Sequence, residues 1–210
     1  MERISSSLEK IIYFGSGAEF DKRFDITYAN ETDIGRHIPE SGYGFAKYIM
    51  NAQARHSDNI YNLRLFGIFG KYEDWRVKFI SNLCCKAIFE LPLTIRKECR
   101  FDYAFVDDLA DIVLYFIENK PLYHDYNFAY GKPVLLTQIA NMISLVSGKK
   151  QDIMLLDKVG FNKDYTANNE RLKIETGFTP TPIEDAIEKL YQYYYDNRDI
   201  IDAKTLKSTR

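Results

Sequence analysis

Two apolar runs that close on glycine flank one helical segment, and this order constrains the fold of the chain most. The first run spans residues 10–17 and ends Phe-Gly-Ser-Gly, and the second spans residues 59–70 and ends Gly-Ile-Phe-Gly. An uninterrupted apolar run that ends in small residues is typical of a buried parallel strand at its carboxyl end. The segment from Tyr43 to about His56 predicts a helix, so the order strand, helix, strand indicates a right-handed parallel crossover. The expected fold class is therefore α/β.

The remainder of the chain continues this alternation in shorter pieces. Apolar residues at helical spacing predict a helix over about 74–90, and Pro92 ends it. Asp107 and Asp108 offer an N-cap to a further helix. The other expected elements are a loop over 20–40, strands at 93–95, 101–106, 126–129 and 153–156, and helices at 136–146 and 183–195. We expect three regions, over 1–72, 73–200 and 201–210, of which the last is a frayed polar tail.

Composition argues against several classes of function. The 28 basic and 30 acidic residues give a net charge of -2, without the basic stripe that nucleic acid requires, so nucleic acid is not an expected partner. No apolar run approaches the roughly 18 residues of a membrane span, and the N-terminus lacks a signal-peptide core. We therefore expect a cytoplasmic protein without a membrane partner. Cys84, Cys85 and Cys99 lack metal-ligand spacing, so they are expected to be reduced packing residues, and no metal site is expected.

Tyr43 and Lys47 stand four residues apart in the predicted helix and therefore share one face. An ammonium about 5 Å from a developing phenolate stabilises it by roughly 3 kcal/mol at an effective dielectric constant near 20. Such a tyrosine can accept and return a proton near neutral pH. Taken alone, the pair also fits two unrelated residues on a solvated helix face, because both residue types are common in helices. The surrounding residues decide between these interpretations.

The order of several landmarks resembles the extended short-chain dehydrogenase/reductases, the NAD-dependent epimerase/dehydratase family that acts on nucleotide sugars. In that family a strand ends in serine or threonine a few residues before an aromatic residue, as Ser16 stands before Phe20. A Tyr-x-x-x-Lys helix follows, as at Tyr43 and Lys47. The next landmarks are an Arg-Leu-Phe strand, here Arg-Leu-Phe-Gly-Ile-Phe-Gly at 64–70, and a Val-Asp-Asp-Leu-Ala helix start at 106–110. The resemblance covers nearly the whole chain and implies the C-terminal portion of a Rossmann-type parallel sheet with a smaller α+β substrate-binding region. It implies that 1–72 is a partial Rossmann-like region with the Tyr-x-x-x-Lys helix, and that 73–200 is a mixed region that binds substrate and completes the sheet.

The resemblance also implies roles for individual residues. Tyr43 would exchange a proton with a sugar hydroxyl while hydride passes to or from NAD or NADP. Lys47 would stabilise the phenolate form of Tyr43 and bind the nicotinamide ribose, and Ser16 would hold the reacting oxygen. Beside Tyr43 and Lys47, the implied cofactor-binding residue is Phe66. The residues implied for substrate binding are Gly17, Gly67 and Arg100.

The chain departs from the family pattern in ways that affect these expectations. It contains neither G-x-x-G-x-x-G nor G-x-G-x-x-G, the turns that bind a dinucleotide pyrophosphate at a helix N-terminus. We therefore expect this chain to lack the N-terminal glycine-rich part and to bind NAD or NADP poorly. Gly67 replaces a usual asparagine, and Phe101 stands where many members place arginine, with Arg100 one position away. Ala18 offers no extra acid or base, which favours epimerase or reductase chemistry over dehydration.

Two functions of different classes remain open. The first is an NAD(P)-dependent nucleotide-sugar epimerase or reductase that is incomplete as this chain. The second is a non-catalytic nucleotide-sugar-binding or assembly module derived from the same family. The Tyr43 helix fits both, because the resemblance implies that this helix also builds a homodimer interface. The sequence does not identify the sugar or the nucleotide, and it does not distinguish NAD from NADP.

Overall fold

The computed structural model describes residues 8–157 and 160–208. The polar N-terminal segment 1–7 lies outside the described residues. The strands and helices, in chain order, are β1 Ile11–Ser16, β2 Ile26–Ala29, α1 Gly42–Arg55, β3 Ile60–Leu65, β4 Ile68–Phe69, α2 Phe79–Ile88, β5 Leu93–Ile95, β6 Arg100–Phe101, β7 Ala104–Phe105, α3 Val106–Glu118, β8 Asp125–Phe128, β9 Val134–Leu135, α4 Leu136–Val146, β10 Ile153–Leu155, β11 Tyr165–Ala167, α5 Glu170–Thr176, α6 Ile183–Asp196 and α7 Ala203–Ser208.

The largest sheet is parallel and has the order β1-β3-β8. Ile11 pairs with Ile60 and Ser16 with Leu65, so both expected strands end at the same edge of the sheet. The helix α1 connects them, as the sequence pattern predicts. On one face, Ile112 and Phe116 of α3 pack against apolar side chains of β3 and β8 and form a buried core cluster. The expected Rossmann-type parallel sheet is confirmed.

The second region is a mixed α+β layer built around another apolar core. Its helices α2, α4 and α6 contribute most of the buried side chains, including Leu83, Ile139 and Leu190. A small sheet of order β2-β11-β6-β9 lies beside it, with β9 antiparallel to β6. This arrangement confirms the expected smaller α+β region. The predicted boundaries at 72 and 200 stay predictions.

Both long predicted strands break where the large sheet passes into the small region. The run over 59–70 divides into β3 and β4 at Gly67, whose φ is +33° and whose carbonyl oxygen accepts the N–H of Ala104 at 3.2 Å. The run over 101–106 divides into β6 and β7 at Asp102. The buried Asp102 carboxylate accepts the backbone N–H groups of Gly131 at 3.0 Å and Ala167 at 3.4 Å. Burial raises the pKa of Asp102 to about 6, although these hydrogen bonds oppose the rise.

Two helix predictions were wrong at their N-termini. The helix expected from 74 begins at Phe79, because the Asp74 carbonyl oxygen accepts the N–H groups of Val77 and Lys78 in a separate turn. The helix expected after Asp107 and Asp108 begins before them, at Val106, and no side chain caps it. Asp108 instead accepts the N–H of Thr181 at 3.0 Å and its hydroxyl at 2.6 Å. This carboxylate therefore ties the start of α3 to the segment before α6.

Two segments expected to be irregular are ordered. The loop over 20–40 contains β2, which pairs in parallel with β11. Because β11 lies far along the chain, local sequence patterns do not predict this pairing. Within the tail, residues 203–208 form α7, and Ile201 and Leu206 are buried in the core of the second region. The expectation of fraying is wrong for these residues, because burial of two apolar side chains holds them; 209 and 210 lie outside the described residues.

Candidate active site

Ser16 stands at the end of β1, where the chain enters a short 3-10 turn, Gly17–Glu19. The Ser16 hydroxyl oxygen accepts the backbone N–H of Ala18 at 3.1 Å, and the Glu19 carboxylate accepts the N–H of Ser16 at 3.0 Å. This reciprocal capping box satisfies two backbone donors that would otherwise be unpaired. The Ser16 side chain is therefore held at the carboxyl edge of the sheet, where ligands bind in open α/β folds.

The glycines on either side of Ser16 are required by close approaches of other groups. A Cβ at position 15 would overlap the carboxylate of Glu19. A Cβ at position 17 would overlap the hydroxyl group of Tyr165. The Gly-Ser-Gly sequence therefore leaves room for two side chains that surround the serine.

The helix α1 presents Tyr43 and Lys47 on one face. Its N-cap is Ser41, whose side-chain oxygen accepts the N–H of Gly44 at 3.1 Å. Lys47 Nζ lies 5.8 Å from the centre of the Tyr43 ring and donates a 2.7 Å hydrogen bond to the carbonyl oxygen of Phe14. The predicted shared face is confirmed, and the hydrogen bond holds the ammonium against β1. The Tyr43 residue is 61% exposed, which leaves its phenol open to a ligand.

A cleft of about 830 Å³ opens beside the ends of β1 and β3. Clefts that hold small molecules typically measure about 300–1,000 Å³. Of the predicted site residues, Ser16, Tyr43 and Gly67 line this cleft. Four basic side chains also line it, Lys22, Lys78, Arg96 and Lys97. The cleft therefore brings Ser16, Tyr43 and several positive charges to one surface.

The other four predicted site residues, Lys47, Phe66, Gly17 and Arg100, do not line the cleft. Phe66 is fully buried, and its ring centre lies 4.8 Å from that of Tyr165. Gly17 is buried in the turn after β1. The Arg100 side chain is largely exposed and faces Asp164, with 3.7 Å between their charged atoms. The geometry therefore adds no support for direct ligand contact by Phe66, Gly17 or Arg100.

Tyr165 is a site residue that no sequence pattern indicated. It comes from the short strand β11, and its hydroxyl is hydrogen-bonded to the side chain of Ser16. Burial raises the pKa of Tyr165 above its ordinary value, and the Ser16 hydrogen bond offsets this only in part, so the phenol stays protonated near neutral pH. Lys22 Nζ lies 4.3 Å from the Tyr165 ring centre, and burial lowers the pKa of this lysine. A lone tyrosine in a three-residue strand carries no local signal that would predict this position.

The cysteines do not supply a nucleophile. Cys84, Cys85 and Cys99 are buried and free. Burial raises the pKa of Cys85 to about 12 and that of Cys99 to about 11, and it holds the pKa of Cys84 well above its usual range. A thiol attacks only as its thiolate, so these residues pack the interior, as predicted. Within residues 8–157 and 160–208, no three His, Cys, Asp or Glu side chains group as a metal site would require.

The sequence comparison decides the family. The model of the NAD dependent epimerase/dehydratase family matches residues 2–129, more than half of the 210 residues. The chain belongs to this family. A comparison with curated protein sequences finds no match. No helix in the described part of the chain is long and apolar enough to cross a membrane.

Solved structures share the fold at low sequence identity. The UDP-glucose 4-epimerase of Thermotoga maritima, solved with UDP-glucose, matches 95% of this chain with a TM-score of 0.76 and 20% identity. A GDP-L-fucose synthetase from Naegleria fowleri, bound to NADP, matches 91% with a TM-score of 0.78 and 16% identity. The UDP-glucuronic acid 4-epimerase of Bacillus cereus, in complex with UDP-glucuronic acid and NAD, matches 90% with a TM-score of 0.74 and 21% identity. This chain spans 67%, 68% and 62% of these three proteins, respectively.

Proposed function

We propose that this chain carries the proton-transfer and substrate-binding machinery of an NAD(P)-dependent nucleotide-sugar epimerase or reductase. The observation that carries the proposal is the meeting of Ser16 and Tyr43 on one cleft, with the Lys47 ammonium held behind the tyrosine. These three residue types supply an oxygen anchor, a proton carrier and a charge that favours the phenolate. The family and the nucleotide sugars bound in the UDP-glucose and UDP-glucuronic acid epimerase structures support the substrate class.

The residues present fit the nicotinamide end of a dinucleotide. Tyr43 is exposed on the cleft, and Lys47 is fixed between α1 and β1 by its bond to Phe14. When bound, the cofactor would supply hydride transfer. The 210 residues contain no glycine-rich turn for the pyrophosphate, so we propose that this chain alone binds NAD or NADP weakly.

Each side chain of the cleft has a separate task in this proposal. Tyr43 takes a proton from, or returns it to, a sugar hydroxyl at its phenol oxygen, and Lys47 stabilises the anion so formed. Ser16 holds the same sugar oxygen by hydrogen bond. Tyr165, which stays protonated, orients the Ser16 hydroxyl. The sugar carbon that reacts is therefore set by the positions of Ser16 and Tyr43.

The positive charges of the cleft fit the diphosphate of a nucleotide sugar. Lys22, Lys78, Arg96 and Lys97 line it, against the two acidic residues Glu73 and Asp157. The Glu73 carboxylate accepts the Ser81 hydroxyl at 2.5 Å, and burial raises the pKa of Glu73. This carboxyl group consequently opposes the bound anion less than an ordinary surface carboxylate would.

The test is turnover by the full chain with NAD or NADP and a panel of UDP-, GDP- and dTDP-sugars. We expect Tyr43→Phe to abolish turnover while leaving nucleotide-sugar affinity within about twofold, because the ring remains and only the proton carrier is lost. The matched control is Tyr48→Phe, which removes a phenol from the same helix outside the cleft. Full activity of Tyr43→Phe would contradict the proposed role.

A second function is favoured by the absence of a glycine-rich dinucleotide turn from the sequence. In this alternative the chain is a nucleotide-sugar-binding or assembly module without redox activity. Turnover at saturating NAD or NADP, measured beside nucleotide-sugar calorimetry, separates the two. Binding of a nucleotide sugar without turnover supports the module, whereas turnover supports the enzyme even where the cofactor binds weakly.

We also propose that α1 forms a homodimer interface. Its residues Phe45 and Ile49 are 47% and 49% exposed. Exposed apolar groups on one helix are common at interfaces between copies of a chain. Light scattering should report a dimer that Ile49→Glu dissociates, and a monomeric wild-type chain would contradict this interface.

A further inference from the structure

A buried polar network joins the two elements that carry the candidate catalytic residues. At its centre is Arg64 of β3, whose side chain is 0% exposed. Its Nε donates to the Glu19 carboxylate at 2.6 Å, and one of its terminal nitrogens donates to the Asn51 side chain at 2.9 Å. Glu19 belongs to the turn after Ser16, and Asn51 belongs to α1. One guanidinium therefore holds both elements.

The network is connected directly to Ser16 through Glu19. The Glu19 carboxylate that Arg64 binds also accepts the N–H of Ser16 at 3.0 Å. Asn62 donates to both oxygens of this carboxylate at 3.1 Å. The absence of a side chain at Gly15 gives the carboxylate its place beneath the strand. Movement of Glu19 would consequently move the backbone of Ser16.

On the helix side, the connection continues along one face. Tyr43, Lys47 and Asn51 follow one another at four-residue intervals in α1 and therefore lie in one row. The Asn51 side-chain oxygen accepts hydrogen bonds from Arg64 at 2.9 Å and from Asn62 at 2.8 Å. The network is therefore hydrogen-bonded to α1 one turn beyond Lys47, on the face that carries Tyr43.

The chemistry of the network favours a role in geometry over a role in stability. Burial alone would lower the pKa of Arg64, but the carboxylates of Glu19 and Asp125 outweigh it and hold that pKa above its ordinary value. Fully buried ion groups are often no more stabilising than apolar packing, because desolvation offsets their attraction. Among the described residues, the buried side-chain polar atoms without a hydrogen-bond partner are Asn51 Nδ2 and Asn62 Oδ1, both in this network. Unsatisfied buried groups are costly, and departures of this kind are expected at functional sites.

We propose that Glu19 and Arg64 are positioning residues, which fix the Ser16 turn relative to the Tyr43 helix so that both side chains address the same sugar oxygen. This inference rests on the proposed function for its catalytic consequence. The structural part of the inference, which is that the Ser16 turn and the Tyr43 helix are coupled, does not depend on turnover. Neither residue touches the substrate in this scheme, because Glu19 and Arg64 are fully buried.

The test compares Glu19→Gln with Asp108→Asn in the full chain. Asp108 is a buried carboxylate that binds Thr181 and contacts neither catalytic element, so it controls for loss of a buried charge. For Glu19→Gln we expect kcat to fall at least about tenfold with KM within about twofold, because the groups remain but their alignment is lost. Asp108→Asn should leave both constants within about twofold.

Amide hydrogen exchange tests the coupling without any turnover. In Glu19→Gln, exchange should accelerate about tenfold both at the Ser16 N–H and at the amides of 43–47, while 106–118 stay unchanged. Asn51→Ala removes only the hydrogen bonds between the network and α1. It should accelerate amide exchange at 43–47 and leave exchange of the Ser16 N–H slow. If Glu19→Gln does not fold, Arg64→Lys replaces it, since lysine cannot bind Glu19 and Asn51 together.

The outcomes separate this inference from the proposed function. Acceleration confined to Ser16 in Glu19→Gln, or unchanged kcat in a folded variant of an active chain, would overturn the positioning role. An inactive wild type that still shows coupled exchange would contradict the proposed enzyme and leave the coupling supported. Equal losses of kcat in Glu19→Gln and Asp108→Asn would contradict the positioning role, because they would mean that the network only stabilises the fold in general.

Discussion

Gly44 of α1 lies against the carbonyl oxygen of Ala18, so that a Cβ at position 44 would stand 2.6 Å from that oxygen. Real Cβ atoms do not approach a backbone atom so closely. The bare glycine backbone therefore lets the helix of Tyr43 pack directly onto the turn that follows Ser16. The separation of the two candidate catalytic side chains depends on this contact.

Gly44→Ala should push α1 away from the turn. Because the obstacle is backbone, we expect the free energy of unfolding to fall by about 1–3 kcal/mol and turnover to fall with it. Gly42→Ala is the matched control in the same first turn, since a Cβ there meets nothing within 4 Å. It should raise the free energy of unfolding by about 0.5 kcal/mol through a less flexible unfolded chain. Urea unfolding of both variants measures this, and equal stabilities would refute the close packing.

Tyr165→Phe keeps the ring and removes the hydroxyl that is hydrogen-bonded to Ser16. Loss of one such bond, about 1–1.5 kcal/mol, should lower kcat about tenfold in an active enzyme. The alkaline side of the pH–rate profile should not move, because burial raises the pKa of Tyr165 and it does not titrate in that range. Tyr195→Phe, at a half-exposed position of α6, should have no effect. A shifted alkaline limb in Tyr165→Phe would assign this residue a proton-transfer role instead.

Asp102 should make stability depend on pH in a direction unusual for a carboxyl group. Its ordinary pKa of 3.8 is raised to about 6 by burial, so between these values the folded state holds a proton that the unfolded chain has released. The contribution of Asp102 to the free energy of unfolding is therefore highest below about pH 4. It falls as the pH rises to about 6 and is constant above that pH. Two pKa units correspond to about 3 kcal/mol.

Asp102→Asn isolates this contribution, because the other acidic groups titrate equally in both proteins. Denaturant unfolding from pH 4 to pH 7 should show the wild type losing about 2.5 kcal/mol relative to the variant, because part of the change lies below pH 4. The change should be complete near pH 6.5, with no further difference at higher pH. A stability difference that stays constant across this range would mean that Asp102 is ionised throughout.

Leu206→Ala tests whether the C-terminal helix belongs to the core. Leu206 is fully buried in the cluster formed by α2, α4 and α6. Its truncation should lower the free energy of unfolding by about 2–5 kcal/mol. Lys207→Ala, at the exposed neighbouring position, should change it by less than about 0.5 kcal/mol. If both variants melt at the wild-type temperature, α7 does not contribute to the stability of the fold.

The strands and helices that local patterns indicate are those whose apolar residues face a buried core cluster. The helix over 136–146 agrees residue for residue with its prediction, and β1, β3 and β8 agree within one or two residues apart from the break at Gly67. The helix predictions failed at N-termini where a residue uses a different hydrogen-bond partner from the one expected. The Asp74 carbonyl oxygen closes a separate turn, and the Asp108 side chain binds Thr181 instead of capping α3. Such choices depend on partners that no local window contains.

The sequence by itself determined the α/β class and the family, and it indicated Ser16, Tyr43 and Lys47 as candidate site residues, because strand ends and helix periodicity depend on near neighbours. Only the tertiary structure decided how these residues are held. Tyr165 reaches Ser16 from β11, and Arg64 joins Glu19 to Asn51. These contacts link groups far apart in the chain, and their strength comes from burial, which exists only after the chain has folded.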